Sequence, residues 1–457
     1  MMEFFIEFLP LFMFLALAVF LFSGFPVAFV LGGTGLLFWL LAVSLGLVSD
    51  KSFLLVSSRI YGSVVDNLVL VAIPMFIFMG NMLEKSGVAR DLLDTLQLMM
   101  RRIPGGLALA VVLLGVVMAA STGIIGASVV MMTLMALPVM ADKGYDLSFS
   151  SGTIASAGTL GILIPPSIML VVMGNLLSVS IGTLFFAALL PGLLLAGLYV
   201  IYIVGYSALR PGHAPAVSDA DMKIPLAEIG KLALKSFVPP FALIFLVLGS
   251  IFAGWATPTE ASGIGAFGAT VLAAVKGKLS IKTLWAVVKS TALIGAMLFG
   301  IFVGATAFSF VFALLGGHDL IVSGIGSFSA SPWSTLIAIM VIVFILGFFF
   351  DWIQIALIVL PVFAPIMKLL DFGGHVPYEG LTVIWFAILV SVNLQTSFLT
   401  PPFGFALFYL KGAAPKAVKI QHIYKGVIPF VILQVIGLAA VVIWPEIALW
   451  LPHYFGL

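Results

Sequence analysis

Two pairs of adjacent prolines lie inside long apolar stretches of this 457-residue chain, one in each half, at Pro165-Pro166 and Pro401-Pro402. A proline removes a backbone donor and clashes with the preceding helical turn, so each pair should interrupt a helix. In an apolar setting, the carbonyls freed by a break need a polar partner or a water-lined cavity. Free carbonyls suit Na⁺, whereas amide donors at a helix start suit a carboxylate. Each pair therefore indicates a place where a cation and an anion could bind.

Small and hydroxyl-bearing residues gather beside both breaks and supply the candidate ligands. We predict Na⁺ ligands at Ser121, Thr122, Gly123, Gly126, Thr159, Gly161, Pro165, Gly347, Thr396, Thr400 and Pro401. We predict substrate contacts at Ser128, Ser167, Asp351, Gln395 and Ser397. For any single Gly or Ser the alternative is close helix packing, which small residues also serve in membranes.

Two acidic residues need separate interpretation. Asp351 follows the aromatic run 348–350 inside an apolar stretch. Placing an acidic side chain in the membrane is energetically unfavourable, so such a residue is first interpreted as part of a functional site. Asp351 could coordinate Na⁺, bind substrate through water, or cap a helix by accepting backbone amides. Glu260 follows Thr257 by three residues, with Pro258 between them. That pattern predicts a capping box at a helix start rather than a binding site.

The composition is that of a polytopic membrane protein. The chain is 63% hydrophobic and 8% charged, whereas a soluble domain carries about 25% charged residues. Its mean hydropathy is +1.29. Cysteine is absent, which excludes disulfides, thiolate metal sites and a cysteine nucleophile. The five histidines lie in loops or near span ends without metal-ligand spacing, so we expect Na⁺ and no transition metal: they are His213, His318, His375, His422 and His453.

Apolar segments of sufficient length define the expected spans. A spanning helix needs roughly 20 apolar residues, which predicts spans near 5–22, 25–46, 67–84, 148–175, 181–209, 237–254, 260–276, 284–315, 380–410 and 427–450. The N-terminus lacks a basic signal-peptide region, so we expect the first span to be retained. Two further apolar segments, 104–141 and 332–367, are interrupted in the middle. We interpret both as re-entrant hairpins.

Charge placement supports the two hairpins. Under this interpretation all but three of the 20 Lys and Arg residues lie on one side, the exceptions being Lys51, Arg59 and Lys368. Positive residues accumulate on the cytoplasmic side, so both termini should lie outside. No Lys or Arg falls within a span core. An anionic substrate would then be held by helix dipoles, hydroxyls and bound Na⁺.

The two halves repeat one plan in opposite orientation. The first repeat covers 1–209 and the second 237–457, joined by a cytoplasmic linker at 210–236 with an amphipathic helix near 221–236. Each repeat holds one hairpin and one broken helix, at 104–141 and 148–175 in the first and at 332–367 and 380–410 in the second. The predicted fold is an all-α polytopic membrane protein with an inverted-topology repeat, two re-entrant helical hairpins and two broken helices. This architecture is typical of secondary transporters.

Several motifs resemble the large membrane subunit of TRAP transporters, the DctM-like permeases. They are the runs at 119–128, 144–145, 157–161, 164–167, 257–260 and 393–404. The resemblance covers nearly the whole chain. It implies an elevator-type, Na⁺-driven importer of a bacterial inner membrane. It also implies a periplasmic substrate-binding protein and a small membrane subunit of about four spans. We expect the small subunit to be a separate protein, because no extra spans precede or follow the repeat.

The motif at 394–409 resembles the branch labelled mannitol/chloroaromatic, whose relatives include importers of 2-oxo acids and lactate. We expect a small organic carboxylate as the substrate and no enzymatic activity. One alternative is a stand-alone Na⁺/carboxylate symporter of similar hairpin architecture. Two others are a membrane-embedded enzyme, such as a lipid-linked transferase, and a passive channel. The enzyme would usually present acidic pairs or histidine clusters at the membrane face, and Asp351 stands alone.

Overall fold

The computed structural model describes residues 6–122, 125–216, 225–317, 319–320, 331–378, 380–402 and 404–456. Its regular elements within those ranges are helices. In the first half they are α1 Leu9–Leu21, α2 Val27–Ser44, α3 Ser52–Ile60, α4 Ala72–Lys85, α5 Val88–Met99, α6 Gly106–Thr122, α7 Ile125–Asp142, α8 Leu147–Thr159, α9 Ile168–Leu177 and α10 Ile181–Leu209.

In the second half the helices are α11 Leu226–Phe252, α12 Pro258–Val275, α13 Ile281–Leu314, α14 Pro332–Leu346, α15 Trp352–Leu369, α16 Thr382–Leu399, α17 Phe405–Ala413, α18 Ile420–Ile443 and α19 Glu446–Tyr454. Within the described ranges, 9 helical segments are long and apolar enough to cross a membrane. The predicted all-α polytopic fold is therefore confirmed.

Pairs of helices occupy the segments that the sequence assigns to the hairpins and to the broken helices, while the repeat boundaries and the re-entrant course of the hairpins stay predictions. The hairpins are α6 with α7 and α14 with α15. The broken helices are α8 with α9, which flank Pro165-Pro166, and α16 with α17, which flank Pro401-Pro402; both proline pairs have a cis peptide bond. Pro138 lies inside α7 and Pro361 inside α15, so the second helix of each hairpin carries an internal proline.

Contacts between the two halves of the chain occur in matching pairs. Helix α7 of the first hairpin packs against α17 of the second broken helix, and α15 of the second hairpin packs against α9 of the first. Likewise α8 packs against α18, and α16 against α10. Each hairpin thus contacts the broken helix of the other half. Helices α2 and α4 contact α13 and α12 and form a second layer.

Glycines allow the closest contact between the halves. A Cβ on Gly152 of α8 would lie 2.0 Å from the carbonyl oxygen of Gly426, and one on Gly426 would lie 1.9 Å from that of Ser148. Neither position has room for a side chain, so α8 and α18 meet backbone against backbone. The first broken helix is thereby held against the last long helix of the other half.

The linker fixes the starts of two site-forming elements. The amide of Gly105, just before α6, donates to the carbonyl of Ala214 at 2.9 Å. The amide of Asp146, just before α8, donates to the carbonyl of His213 at 2.9 Å. The amphipathic segment expected near 221–236 continues into the following span, because a single helix covers Leu226–Phe252. Residues 217–224 lie outside the described ranges.

The predicted capping box at the start of α12 is confirmed. The Glu260 carboxylate accepts from the amide and the hydroxyl of Thr257, each at 2.8 Å, and Thr257 Oγ1 accepts from the Glu260 amide at 3.3 Å. Pro258 occupies the first turn. Glu260 is exposed and serves the helix end, as the sequence indicates.

Candidate functional site

The second break presents hydroxyl oxygens as acceptors. Thr396, Ser397 and Thr400 each donate their hydroxyl proton to a carbonyl of α16, at 3.2, 2.9 and 2.7 Å. A hydroxyl oxygen carries two lone pairs, and these stay available when its proton is used within the helix. The predicted ligands Thr396 and Thr400 therefore keep lone pairs that are not used within the helix, and their role as Na⁺ ligands stays a prediction. Pro401 follows Thr400 where helical geometry ends.

The tip of the second hairpin lies directly on this break. A Cβ on Gly347 would fall 1.9 Å from Ser397 Oγ and 2.6 Å from Ser397 Cβ. About two turns earlier in α14, the carbonyl of Met340 accepts from the Asn393 side-chain amide of α16 at 2.7 Å. The structure thus brings Gly347 and Ser397, which the sequence assigns to one site, into direct contact.

Asp351 caps helix α15. Its carboxylate accepts from the Trp352 amide at 2.8 Å, and the Gln354 side chain accepts from the Asp351 amide at 3.3 Å. This geometry supports the capping alternative. The Asp351 side chain also accepts from the Gln354 backbone amide, which completes a capping box. A role for Asp351 in ion or substrate binding stays a prediction.

Gln395 has a buried amide without protein partners. The residue is 0% exposed on α16, and neither its Nε2 nor its Oε1 has a hydrogen-bond partner in the described structure. Leaving such a group unpaired costs about 1–3 kcal/mol. It lies next to Thr396 in the chain, one turn before the break. An amide offers one acceptor and two donors, so Gln395 can serve either a cation or a carboxylate.

The first break is fully buried. Thr159 ends α8, a 3₁₀ turn covers Leu160–Ile162, and Ser167 precedes α9. Ser167 Oγ donates to the Ile162 carbonyl at 2.5 Å. The predicted ligands Thr159, Gly161 and Pro165 lie in this segment, all of them buried. The 3₁₀ turn contacts α16, the helix that carries Gln395, so the first break packs against the second broken helix.

A polar chain beside the first break was not expected from the sequence. Gln434 of α18 donates Nε2 to the Tyr199 hydroxyl of α10 at 2.8 Å, and that hydroxyl interacts with the Thr159 side chain. Thr159 Oγ1 in turn donates to the Ser156 carbonyl at 2.9 Å. Tyr199 and Gln434 are both 0% exposed. In the sequence, the isolated Gln434 within an apolar span was the one feature that could have indicated this polar chain.

The tip of the first hairpin contacts the second broken helix. A Cβ on Gly126 would lie 2.8 Å from the Tyr409 ring of α17, and the Tyr409 hydroxyl interacts electrostatically with Asp351. The Tyr409 ring therefore packs on the tip of the first hairpin. Ser128 is buried one turn from Ile125, where α7 begins. Ser121 and Thr122 end α6, and the predicted ligand Gly123 lies outside the described residues.

Two cavities border the hairpins. One of ≈ 340 Å³ lies between α15 of the second hairpin and helices α3, α9 and α13. The other, of ≈ 430 Å³, lies between α7 of the first hairpin and the segment that joins α4 to α5. Each hairpin therefore faces open space on the side that points toward the second layer of helices.

Comparison with known proteins identifies the family. The model of the family described as "Tripartite ATP-independent periplasmic transporter, DctM component" matches residues 14–447. The chain belongs to the DctM family. It is thus the large permease component of a TRAP transporter, as its motifs indicate.

Several DctM permeases are similar over most of their length. The C4-dicarboxylate TRAP transporter large permease protein DctM of Pseudomonas aeruginosa is 32% identical over 393 residues, covering 86% of this chain and 88% of that protein. The ectoine TRAP transporter large permease protein TeaC of Halomonas elongata is 30% identical over 383 residues, covering 84% and 86%. The isethionate TRAP transporter permease protein DctMQ of Oleidesulfovibrio alaskensis is 30% identical, and the match covers 96% of this chain and 65% of that longer protein.

Solved transporter structures share the fold. The YdaH transporter of Alcanivorax borkumensis superposes with a TM-score of 0.57 at 16% identity, covering 90% of each chain. MtrF of Neisseria gonorrhoeae, described as one of a class of antimetabolite efflux pumps, gives 0.52 at 13% identity, covering 88% of this chain and 84% of MtrF. At these identities the likeness concerns the fold alone.

Proposed function

We propose that this DctM permease imports a small organic carboxylate together with Na⁺, and that substrate and ions bind where the two hairpin tips meet the two helix breaks. The observation that carries the proposal is the buried, unpaired amide of Gln395 beside Thr396 and Ser397. An unpaired polar group in a protein interior is destabilising and is retained where a ligand completes its hydrogen bonds. The hydroxyl oxygens of Thr396 and Thr400, near the same end of α16, suit Na⁺.

The proposed partners follow from the family. Its members are components of a tripartite periplasmic transporter, and one relative is named as a permease protein DctMQ of greater length than this chain. We propose that this chain works in the bacterial inner membrane with a periplasmic substrate-binding protein and a small membrane subunit. Relatives are named for C4-dicarboxylates, ectoine, isethionate and sialic acid, so the family itself does not fix the substrate.

Coupling to more than one Na⁺ is favoured by the membrane potential. A potential of −100 mV supplies about 2.3 kcal/mol for each positive charge that enters. A monoanion entering with one Na⁺ carries no net charge and gains nothing from the potential. Two chemically distinct breaks, each rich in oxygen ligands, are compatible with two ions.

An elevator-type movement is the mechanism that we propose. The hairpins and broken helices contact one another across the halves and would move as one body. Helices α2, α4, α12 and α13 would form the static layer. The cavities of ≈ 340 and ≈ 430 Å³ lie between these two groups and provide space for sliding.

Uptake by proteoliposomes that contain both membrane subunits tests the function. We expect accumulation of a radiolabelled carboxylate only with an inward Na⁺ gradient and with the loaded binding protein outside. Equal uptake with K⁺ in place of Na⁺ would refute the sodium assignment. Uptake without the binding protein would refute the tripartite assignment and favour a stand-alone symporter. Saturation of the rate would exclude a passive channel.

Asp351 variants separate capping from ion binding. Asp351→Asn keeps an oxygen that can accept from the Trp352 amide but removes the negative charge, whereas Asp351→Ala removes both. If the charge binds Na⁺, both variants should raise the Na⁺ concentration for half-maximal uptake, by about tenfold for a loss of 1.4 kcal/mol. If Asp351 only caps α15, Asp351→Asn should behave as wild type, and Asp351→Ala should lose about 1 kcal/mol of helix stability.

A further inference from the structure

The cavity of ≈ 340 Å³ beside the second hairpin is lined by polar groups that the proposed transport site does not use. We call it the outer cavity, defined by Arg59, Ser63, Asn175, Thr306, Ser309 and Leu357. These residues lie near the C-terminal ends of α9 and α13, and the positive-inside interpretation places those ends on the outer side of the membrane.

Charge in the outer cavity is entirely positive. Of the described residues that line it, Arg59 is the one cation and none is a carboxylate. Within the part of the chain that the structure describes, no acidic side chain forms an ion pair with Arg59. A guanidinium offers five donors in a planar fork that matches a carboxylate. The cavity therefore attracts anions.

Three hydroxyls of the outer cavity do not make the usual helical hydrogen bond. Helical Ser and Thr commonly donate to a carbonyl one turn earlier, as Thr133 and Thr153 do here at 2.6 and 2.9 Å. Ser63, Thr306 and Ser309 donate to no described group. Their protons are free for a molecule in the cavity.

An asparagine completes the set of donors. Asn67 donates Nδ2 to Asn175 Oδ1 at 2.7 Å, which ties the end of α9 to the segment after α3. Because the Asn175 oxygen is the atom engaged, its amide nitrogen is left as a donor. A guanidinium, an amide and three hydroxyls from three parts of the chain thus surround one space.

The cavity also borders the hairpin that forms part of the proposed transport site. Leu357 on its wall belongs to α15, the helix that Asp351 caps. Leu357 follows Trp352, the first residue of α15, by five residues, so the two residues are about 7.5 Å apart along the helix axis. An anion in the outer cavity would lie against the same hairpin whose tip contacts the second break.

We propose that the outer cavity is a vestibule that binds small carboxylates, with Arg59 supplying the charge and Ser63, Asn175, Thr306 and Ser309 the hydrogen-bond donors. The proposal rests on the proposed import function in one respect, since it places a carboxylate on the outer side of the permease. Its recognition chemistry depends on the cavity alone.

Single-cysteine labelling tests the vestibule, because the chain has no cysteine of its own. Ser309→Cys is treated in the full-length protein with an anionic methanethiosulfonate (2-sulfonatoethyl) and with a cationic one (2-trimethylammonioethyl). Modification rates are read by intact mass. Ser57→Cys is the matched control, since Ser57 is exposed on α3 but two residues from Arg59 and on another face of the helix.

We expect the anionic-to-cationic rate ratio to be about tenfold higher at Ser309→Cys than at Ser57→Cys, the lower end of what a charged cleft contributes. Arg59→Gln should bring the two ratios together, and acetate, pyruvate or succinate should slow labelling of Ser309→Cys only. Thr306→Cys provides a second variant with the same expectation.

The vestibule is refuted if the ratio does not change with Arg59→Gln, or if neither cavity cysteine reacts. Labelling requires no Na⁺, binding protein or small subunit. Failed sodium-dependent uptake with preserved anion preference would therefore refute the import function alone, and normal uptake without anion preference would refute the vestibule alone.

Discussion

Gln395→Leu should abolish most uptake while leaving the permease as stable as the wild type or more so. The residue is fully buried and its amide pairs with no described group, so leucine removes an unsatisfied polar group at similar volume. If the amide hydrogen-bonds an ionised substrate, its loss costs about 1.5–3 kcal/mol. Uptake at low substrate concentration should then fall by about 10- to 100-fold.

Thermal unfolding and proteoliposome uptake, measured on the same preparation, check this expectation. The same change at Gln97, which is half-buried on α5 away from both breaks, should leave uptake unchanged. Normal uptake by Gln395→Leu would contradict the site. A large loss of stability would show instead that the amide has a structural partner.

Gln395→Glu distinguishes the two ligands that the amide could bind. The carboxylate keeps an oxygen for a cation but adds a negative charge near the substrate. If the Gln395 oxygen coordinates Na⁺, sodium dependence should be preserved. If its nitrogen donates to the substrate carboxylate, like-charge repulsion should eliminate uptake at every Na⁺ concentration.

The breaks could be predicted from the sequence because proline acts locally. A missing donor and a steric clash at Pro165-Pro166 and Pro401-Pro402 disrupt a helix whatever surrounds it. The capping box of Thr257 and Glu260 is local in the same sense, since its residues lie within one turn. Even the cap at Asp351 has a local signature, because a glutamine follows three residues later.

The long-range contacts of the site could not be predicted in this way. Gly126 meets the Tyr409 ring only after α7 and α17 pack together, and the spacing of these two residues in the chain does not indicate that contact. The chain from Gln434 through Tyr199 to Thr159 likewise joins three helices. Such pairings depend on how the repeats dock, which the hydropathy pattern does not specify.

The structure adds a second role for Gly347 at the tip of the second hairpin. From the sequence, Gly347 is a candidate carbonyl ligand at a hairpin tip. In the structure its lack of a side chain lets the tip rest on Ser397. The two interpretations are compatible, because a carbonyl can reach an ion at the break only if the tip lies close to α16.

Gly347→Ala should therefore cause a second large loss of uptake. The new Cβ would lie 1.9 Å from Ser397 Oγ and 2.6 Å from Ser397 Cβ. Rotating the hydroxyl away does not relieve the clash, since the Cβ of Ser397 stays in place. Overpacking of this kind costs about 1–3 kcal/mol, and the tip can escape it only by moving away from the break. Uptake should fall more than the amount of folded protein in the membrane.

A double variant shows whether that contact is the cause. Ser397→Gly removes both atoms that the alanine would strike, so Gly347→Ala combined with Ser397→Gly should transport no worse than Ser397→Gly alone. Gly374→Ala, at a position with open space around it, should be silent. Additive losses in the double variant would mean that the two residues act independently. Recovery would establish that the hairpin tip must rest on Ser397 for the second break to bind its ligands.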